Sequence, residues 1–236
     1  MQPSGRTVFS GHSSIGQLPV LNWGTADQKR RLALALNRER VRSGKSSQMI
    51  LLTAITHHSK TTSLAFDLAK DFGNMDVSAV VVEVNTVKTD TRYISESVHG
   101  GVYDLLNKPD TPLQQLISPA DGQLPNRIAL AAPNEGLLSG YLRLQGALAK
   151  LSEQYEMIIL DAAPVLLSAD VEFFASISDI TLLLIAAQET QPGEIKRAVQ
   201  ILERVDPKVI SFVVTRLQVF KGGGYYAKVY AGKAGK

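Results

Sequence analysis

The sequence contains no cysteine among its 236 residues. This absence excludes disulfide bonds and metal sites built on thiolates, and it fits a reducing cytosol. No apolar run approaches the roughly 18 residues that a membrane-spanning helix needs, so we expect neither a membrane span nor a signal peptide. Apolar residues make up 44% of the chain and charged residues 20%, which is typical of a globular domain with a substantial core.

Net charge is also low, at +3, which gives no argument for nucleic acid as a partner. The basic residues are unevenly placed, however. Seven basic residues and one acidic residue lie between Lys29 and Lys45, and four lysines without any acid follow Arg216. This pattern indicates either solvated surface or attraction to an anionic membrane or an acidic partner.

The chain divides into three predicted parts. Residues 1–24 are rich in Ser, Gly and Pro without a sustained period, which predicts a flexible leader. Residues 25–217 are predicted to form one α/β domain, beginning with a helix over Asp27–Arg42. Residues 218–236 are rich in Gly, Tyr and Lys, and we expect a flexible tail.

Short apolar segments alternate with segments of helical spacing through the middle of the chain. The apolar segments lack polar alternation, as in strands buried on both faces. This order predicts a mostly parallel, doubly wound sheet with helices on both faces and a ligand site at the carboxyl ends of its strands. The predicted strands are Gln48–Ile55, Ser78–Asn85, Arg127–Ala132, Met157–Ala162, Ile180–Ala187 and Lys208–Val214. The predicted helices that follow the first are Thr61–Phe72, Leu138–Tyr155, Ser168–Ile177 and Gly193–Val205.

The segment from Thr53 to Thr62 has the outline of a phosphate-binding loop, G-x-x-x-x-G-K-[ST], without its two glycines. Ala54 and Ser59 occupy the glycine positions, and neither residue type adopts positive φ readily. In a working loop Lys60 reaches the β- and γ-phosphates and Thr61 offers its hydroxyl to Mg²⁺. Ser59 and Thr62 are the further candidates for nucleotide contact. The competing interpretation is an ordinary strand–helix loop that carries a surface lysine.

A carboxylate lies at the end of the fourth predicted strand. Asp161 follows four apolar residues, which is the layout of the acid that holds Mg²⁺ in such folds. An acid at a strand end is by itself a weak indication of a Mg²⁺ site. The indication is stronger here because Lys60 follows another strand of the same sheet.

Longer motifs resemble the bacterial tyrosine kinases of polysaccharide synthesis, a branch of the MinD/ParA-type P-loop ATPases. The stretch from Tyr155 to Asp170 is similar to the family's Y-D-x-I-I-I-D-x-P-P-V followed by S-D. The segment Gly101-Val-Tyr-Asp-Leu-Leu is similar to G-L-x-x-x-L, and Asn134-Glu-Gly-Leu-Leu-Ser to N-P-x-E-L-L-x-S. The resemblance covers about residues 25–230.

The resemblance implies ATP and Mg²⁺ as ligands and a tyrosine cluster in the tail as phosphoacceptors. The matching tyrosines are Tyr225, Tyr226 and Tyr230. It further implies a cytoplasmic protein that reaches the inner membrane through a polysaccharide co-polymerase, and a ring-shaped homo-oligomer. Only Arg30 fits cleanly to the family's oligomerisation motif, E-x-x-R-x-x-R.

The chain departs from the family at several catalytic positions. A second acidic motif, D-x-D, is replaced in this sequence by Glu83-Val-Asn85. Asn85 cannot accept a proton as a general base, whereas Glu83 can still coordinate a metal ion. Thr215 stands in place of an adenine-contacting Asn, and Ala163 in place of a proline. Since phosphoryl transfer depends almost entirely on positioning and charge stabilisation, these changes predict impaired catalysis.

Three functions stay open from the sequence. The first is a regulatory or scaffold component of exopolysaccharide synthesis or export that lacks efficient catalysis. The second is an active autokinase in which Lys60, Asp161 and Glu83 carry the chemistry. The third, a positioning ATPase like MinD or ParA, is weaker because Ile55 stands at the place of their signature lysine. A metal site at His57 and His58 lacks acidic or thiolate partners nearby.

Overall fold

The structure is a computed structural model that describes residues 26–56, 61–87, 101–107, 111–121, 124–130, 140–187 and 189–215. The predicted leader and the predicted tail with its three tyrosines lie outside these residues. So do Ser59 and Lys60.

Six strands form one sheet within the described residues, and all of its pairings are parallel. The strand order across the sheet is β3-β2-β4-β1-β5-β6. The predicted α/β class with a parallel sheet is therefore confirmed. The strands are β1 (Gln48–Ala54), β2 (Ala79–Val84), β3 (Arg127–Ile128), β4 (Met157–Ala162), β5 (Ile180–Ala186) and β6 (Ile210–Thr215).

Helices cover both faces of the sheet, and each face has its own apolar core. Helices α1 and α2 pack on one face, through side chains such as Leu32 and Leu64. Helices α3 to α7 contribute to the other face, through side chains such as Leu148 and Phe174. The helices are α1 (Ala26–Arg42), α2 (Thr61–Gly73), α3 (Val102–Asn107), α4 (Leu113–Leu116), α5 (Tyr141–Ser152), α6 (Asp170–Ile177) and α7 (Pro192–Glu203).

Strand β1 lies at the centre of the sheet, between β4 and β5. Strands β2 and β3 continue the sheet beyond β4, and β6 continues it beyond β5. The chain thus moves to opposite sides of β1 in its two halves, and ligands bind at the carboxyl ends of strands where the order reverses in this way. The loop after β1 and the end of β4 meet at that point.

Two short helices, α3 and α4, were not predicted from the sequence, and β3 is shorter than predicted. The predicted third strand extended to Ala132, but the residues after Ile128 that the structure describes are not in a strand. The outer edge of β3 is paired with the segment after α4. The N–H of Ser118 donates to the Arg127 carbonyl at 2.8 Å, and the N–H of Arg127 donates back at 3.0 Å.

The opposite, amino-terminal edge of the sheet is fastened by Asp179, which directly precedes β5. Its carboxylate accepts from the side chains of Lys45 at 2.6 Å and Lys208 at 2.8 Å, and from the N–H of Met49 at 2.9 Å. Burial alone raises the pKa of Asp179, but the hydrogen bonds from Lys208, Lys45 and Met49 hold it below its ordinary value of 3.8. This acid therefore joins β1, β5 and the start of β6, far from the predicted nucleotide site.

Candidate functional site

Helix α2 begins at Thr61, where the chain has just left the carboxyl end of β1. The side chains of Thr61 and Thr62 are buried, although both are polar. The helix therefore directs its N-terminal N–H groups and its positive dipole end towards the switch point of the sheet. This is the placement that the sequence predicted for a phosphate-binding helix.

Asp161 reaches this helix from the end of β4. Asp161 is fully buried, and the hydroxyl of Thr62 donates to Oδ2 of Asp161 at 2.6 Å. A hydrogen bond to a buried carboxylate is short and about twice as strong as one between neutral groups. The sequence placed both residues at the site but did not predict this bond, because residues 99 positions apart show no spacing pattern.

Glu83 stands beside Asp161 on the neighbouring strand, since the two are in register in the β2–β4 pairing. Side chains in register lie on the same face of the sheet, on strands about 4.8 Å apart. That face is the one on which α2 packs, because Val81 and Ile159 belong to the same core as Leu64. Glu83 is buried, with 3% of its surface exposed.

The oxygen donors of this site suit Mg²⁺ that is also held by phosphate. Mg²⁺ prefers oxygen ligands and is usually bound by one or two carboxylates together with substrate phosphates. Asp161 and Glu83 supply two carboxylates, and Thr61 and Thr62 supply hydroxyls. No group of three or more acidic, His or Cys residues suited to a metal ion occurs among the described residues. The two carboxylates and two hydroxyls therefore fit Mg²⁺ that is held together with phosphates.

Asn85, which follows β2, has an intramolecular role in the loop. Its Oδ1 accepts a hydrogen bond from the N–H of Val87 at 3.1 Å, and 9% of the residue is exposed. Such a bond shapes a tight turn and occupies the amide oxygen. The next residue, Thr86, donates its hydroxyl to Oδ2 of Asp170 at 3.4 Å. The loop after β2 is therefore tied to the start of α6.

Ala54, at the first glycine position, causes no backbone strain. It lies in β1, and Asp76 and Asp206 are the described non-glycine residues with positive φ. Its carbonyl accepts from the N–H of Val165 at 2.8 Å. The expectation that this position needs the freedom of glycine is wrong for Ala54. For Ser59 it stays a prediction.

Two other departures from the kinase pattern have structural roles. The carbonyl of Ala163 accepts from the hydroxyl of Thr53 at 2.7 Å, which joins the end of β1 to the loop after β4. The hydroxyl of Thr215 donates to the carbonyl of Ile185 at 3.3 Å. Thr215 therefore bonds within the sheet, where the resemblance placed an Asn that contacts adenine.

Arg30 is exposed on α1, and its proposed role in oligomer contact stays a prediction. Its positive charge also acts on α2. Burial raises the pKa of Asp71, and the charge of Arg30 opposes that rise. On the preceding position, Lys29 forms an ion pair with Asp67 of α2.

Most of the basic segment from Lys29 to Lys45 is neutralised within the fold. Ion pairs join Arg40 to Glu156 at 2.8 Å, Arg42 to Glu39 at 2.7 Å and Lys45 to Asp179 at 2.6 Å. Arg31 and Arg38 are exposed and form no ion pair with another described residue. The predicted attraction to an anionic membrane or acidic partner thus depends on fewer charges than the sequence suggested. None of the described helices has the length and apolar character to cross a membrane.

Comparisons with known proteins agree with this fold. The chain is 21% identical over 182 residues to a Staphylococcus aureus protein named "Putative tyrosine-protein kinase CapB". The match covers 75% of this chain and 78% of CapB. No protein-family model matches the chain.

Solved structures with the same fold include two kinase domains and a plasmid partition protein. The kinase domain of the Escherichia coli tyrosine kinase ETK has a TM-score of 0.73 at 16% identity, covering 85% of this chain and 78% of that one. The VpsO kinase domain has a TM-score of 0.69 at 18% identity, covering 82% and 96%. A plasmid partition protein from Borrelia burgdorferi has a TM-score of 0.59 at 15% identity, covering 79% and 87%. The chain therefore has the fold of the bacterial tyrosine-kinase domains and is similar in sequence to CapB.

Proposed function

We propose that the chain is a kinase-like regulatory or scaffold component of bacterial exopolysaccharide synthesis or export, with little or no phosphoryl transfer of its own. It acts from the cytoplasm with a membrane polysaccharide co-polymerase. The observation that carries this proposal is the residue that follows β2. The kinases have the second acid of their D-x-D motif at this position, whereas this chain has Asn85. The side-chain oxygen of Asn85 accepts a hydrogen bond from the N–H of Val87 at 3.1 Å.

The loss of that acid bears directly on catalysis. A carboxylate at this position would activate the attacking tyrosine hydroxyl, whereas an amide cannot take its proton. Thr215 adds to the argument, because its hydroxyl bonds within the sheet at 3.3 Å instead of presenting an amide to the base. The protein then retains the fold and partner surfaces of a kinase while the reacting groups are poorly positioned.

An active autokinase is the second candidate, and the side chains that could bind Mg²⁺ favour it. Thr62 and Asp161 are joined at 2.6 Å, and Glu83 is in register with Asp161. These residues could bind Mg²⁺ and the phosphates if Lys60 completes the loop. In that case Tyr225, Tyr226 and Tyr230 are the acceptors and Glu83 replaces the missing base.

Genetic complementation separates a scaffold from a working kinase. The gene is deleted in its own host, and polymer is measured after return of the wild-type gene or of Lys60→Met. A scaffold restores polymer equally well with either gene, because its contacts do not require phosphoryl transfer. Failure of Lys60→Met at the same protein level as the wild type would contradict the proposal and support the autokinase. Tyr225→Phe, returned to the deletion strain in the same way, tests whether polymer synthesis requires this tyrosine of the tail.

A further inference from the structure

A groove opens at the amino-terminal edge of the sheet, away from the nucleotide site. It is a wide, open depression of about 790 Å³, and we name it the amide groove. Seven residues from α4, the segment after it and the segments just before β3 and β4 line it: Gln114, Gln115, Ile117, Pro119, Asn126, Gln154 and Tyr155.

The amide groove is separate from the predicted ATP site. Tyr155 precedes β4 and Asp161 lies near its end, six residue steps further along. At about 3.3 Å per residue the two positions are about 20 Å apart. ATP bound at Thr61 therefore leaves the groove open to another ligand.

Its lining is rich in carboxamides and has no charge among the described residues. Each carboxamide offers two N–H donors and an acceptor oxygen. The side chains of Gln114, Gln115 and Gln154 are exposed and make no hydrogen bond with another described residue. Asn126 accepts from the N–H of Ala120 at 2.9 Å through its oxygen, which leaves its amide nitrogen to donate.

Tyr155 adds an aromatic surface and a neutral hydroxyl. Burial raises the pKa of Tyr155 above its ordinary value of 10.0, so the hydroxyl keeps its proton at neutral pH. The ring itself is partly buried against the apolar core, with Pro119 as an apolar neighbour in the groove. Aromatic rings with a polar tip suit ligands that have both apolar faces and hydroxyl groups.

We propose that the amide groove binds a neutral saccharide. A sugar presents hydroxyls that both donate and accept, which carboxamides match, and apolar C–H faces, which Tyr155 and Pro119 can contact. Phosphorylated or acidic ligands find no counter-charge among the lining residues. A fully apolar ligand would leave several amides without hydrogen bonds, which is costly.

An extended peptide is disfavoured as the occupant because the neighbouring sheet edge is covered. A peptide gains most of its affinity by adding a strand to an open edge. The outward N–H and carbonyl of Arg127 are already paired with Ser118, at 3.0 and 2.8 Å. This inference does not depend on the proposed function, since it concerns a different edge of the sheet.

Saturation-transfer difference NMR on the full chain tests the proposal with glucose, galactose, N-acetylglucosamine, maltose and lactose, each at millimolar concentration. We expect at least one of these sugars to bind, and glucose 6-phosphate to bind more weakly than glucose. Gln154→Ala should weaken binding about 5-fold, the value of one lost hydrogen bond. Gln145→Ala is the matched control, because it removes an exposed glutamine of α5 outside the groove.

Three results would overturn the inference. One is no binding by any of the five sugars. Another is sugar binding that Gln154→Ala and Gln114→Ala leave unchanged, which would place the ligand elsewhere. The third is stronger binding of an uncharged peptide, such as a Ser/Gly octapeptide, than of any sugar. Both glutamines are exposed, so their replacement is compatible with folding, which circular dichroism verifies.

Discussion

Replacing Thr62 by valine removes the hydroxyl that holds Asp161 and keeps the shape of the side chain. Asp161 is fully buried, and the bond between the two residues is 2.6 Å long. A hydrogen bond to a charged group contributes about 1.5–3 kcal/mol, and a buried carboxylate that loses its donor keeps its desolvation cost. We therefore expect Thr62→Val to lower the free energy of unfolding by about 2 kcal/mol. In a chain of 236 residues this corresponds to a fall in Tm of about 4–8 °C.

Thr61→Val is the matched control, since Thr61 is also buried but its hydroxyl bonds to no other described residue. We expect that variant to change stability by less than about 0.5 kcal/mol. Urea unfolding measures both variants, and a double-mutant cycle with Asp161→Asn isolates the pair. Equal losses for the two valine variants, or no coupling between Thr62 and Asp161, would refute this description of the site.

Two further substitutions test electrostatics outside the site. Asp179→Asn should lower stability by about 2 kcal/mol at neutral pH, by loss of charge-assisted hydrogen bonds. Because the folded-state pKa of Asp179 lies below 3.8, this stabilisation exists above pH 3.8 and disappears as the pH falls through the folded-state value. Thermal unfolding measured across pH should show the Tm values of the wild type and of Asp179→Asn converge as the pH falls. A difference in Tm that stays constant with pH would contradict the lowered pKa of Asp179. Arg127→Met should raise stability by about 1 kcal/mol, because the Nε and Nη1 donors of Arg127 are buried without a hydrogen bond among the described residues. Arg143→Met is the control for Arg127→Met and should lower stability, since Arg143 donates to the Leu106 carbonyl at 2.6 Å. If both variants are less stable than the wild type, Arg127 also has a hydrogen-bond acceptor, which would contradict the prediction.

The sheet was predictable because its strands are buried on both faces. Met157–Ala162 was predicted with the bounds that the structure shows, and α1 and α2 differ from prediction by one residue. Continuous Val, Ile and Leu segments between helical segments have few other structural solutions. Short elements were missed for the converse reason. Val102–Asn107 and Leu113–Leu116 contain at most two helical turns, which is too little for a periodic pattern.

The site was predicted in outline only, because its decisive contacts join distant parts of the chain. Strand ends and loop spacing placed Asp161 and Thr61 at the same edge, and the resemblance to the kinases added Glu83. The sequence could not indicate that Thr62 bonds to Asp161, or that Glu156 partners Arg40 of the basic segment. Strand order decides such pairs, and it was not predicted. The result for Ala54 has a different origin, because the predicted strand Gln48–Ile55 already contained this residue, as β1 does.

The central claim, that the chain has a kinase fold with little phosphoryl transfer, is tested most directly by tyrosine autophosphorylation with Mg²⁺ and labelled ATP. Three proteins are compared: the wild type, Lys60→Met, and a repaired variant that combines Ser59→Gly and Asn85→Asp. We expect the wild type to incorporate no more label than Lys60→Met, and the repaired variant to gain label on tyrosine. Wild-type labelling that disappears in Lys60→Met would contradict the claim and establish an active autokinase.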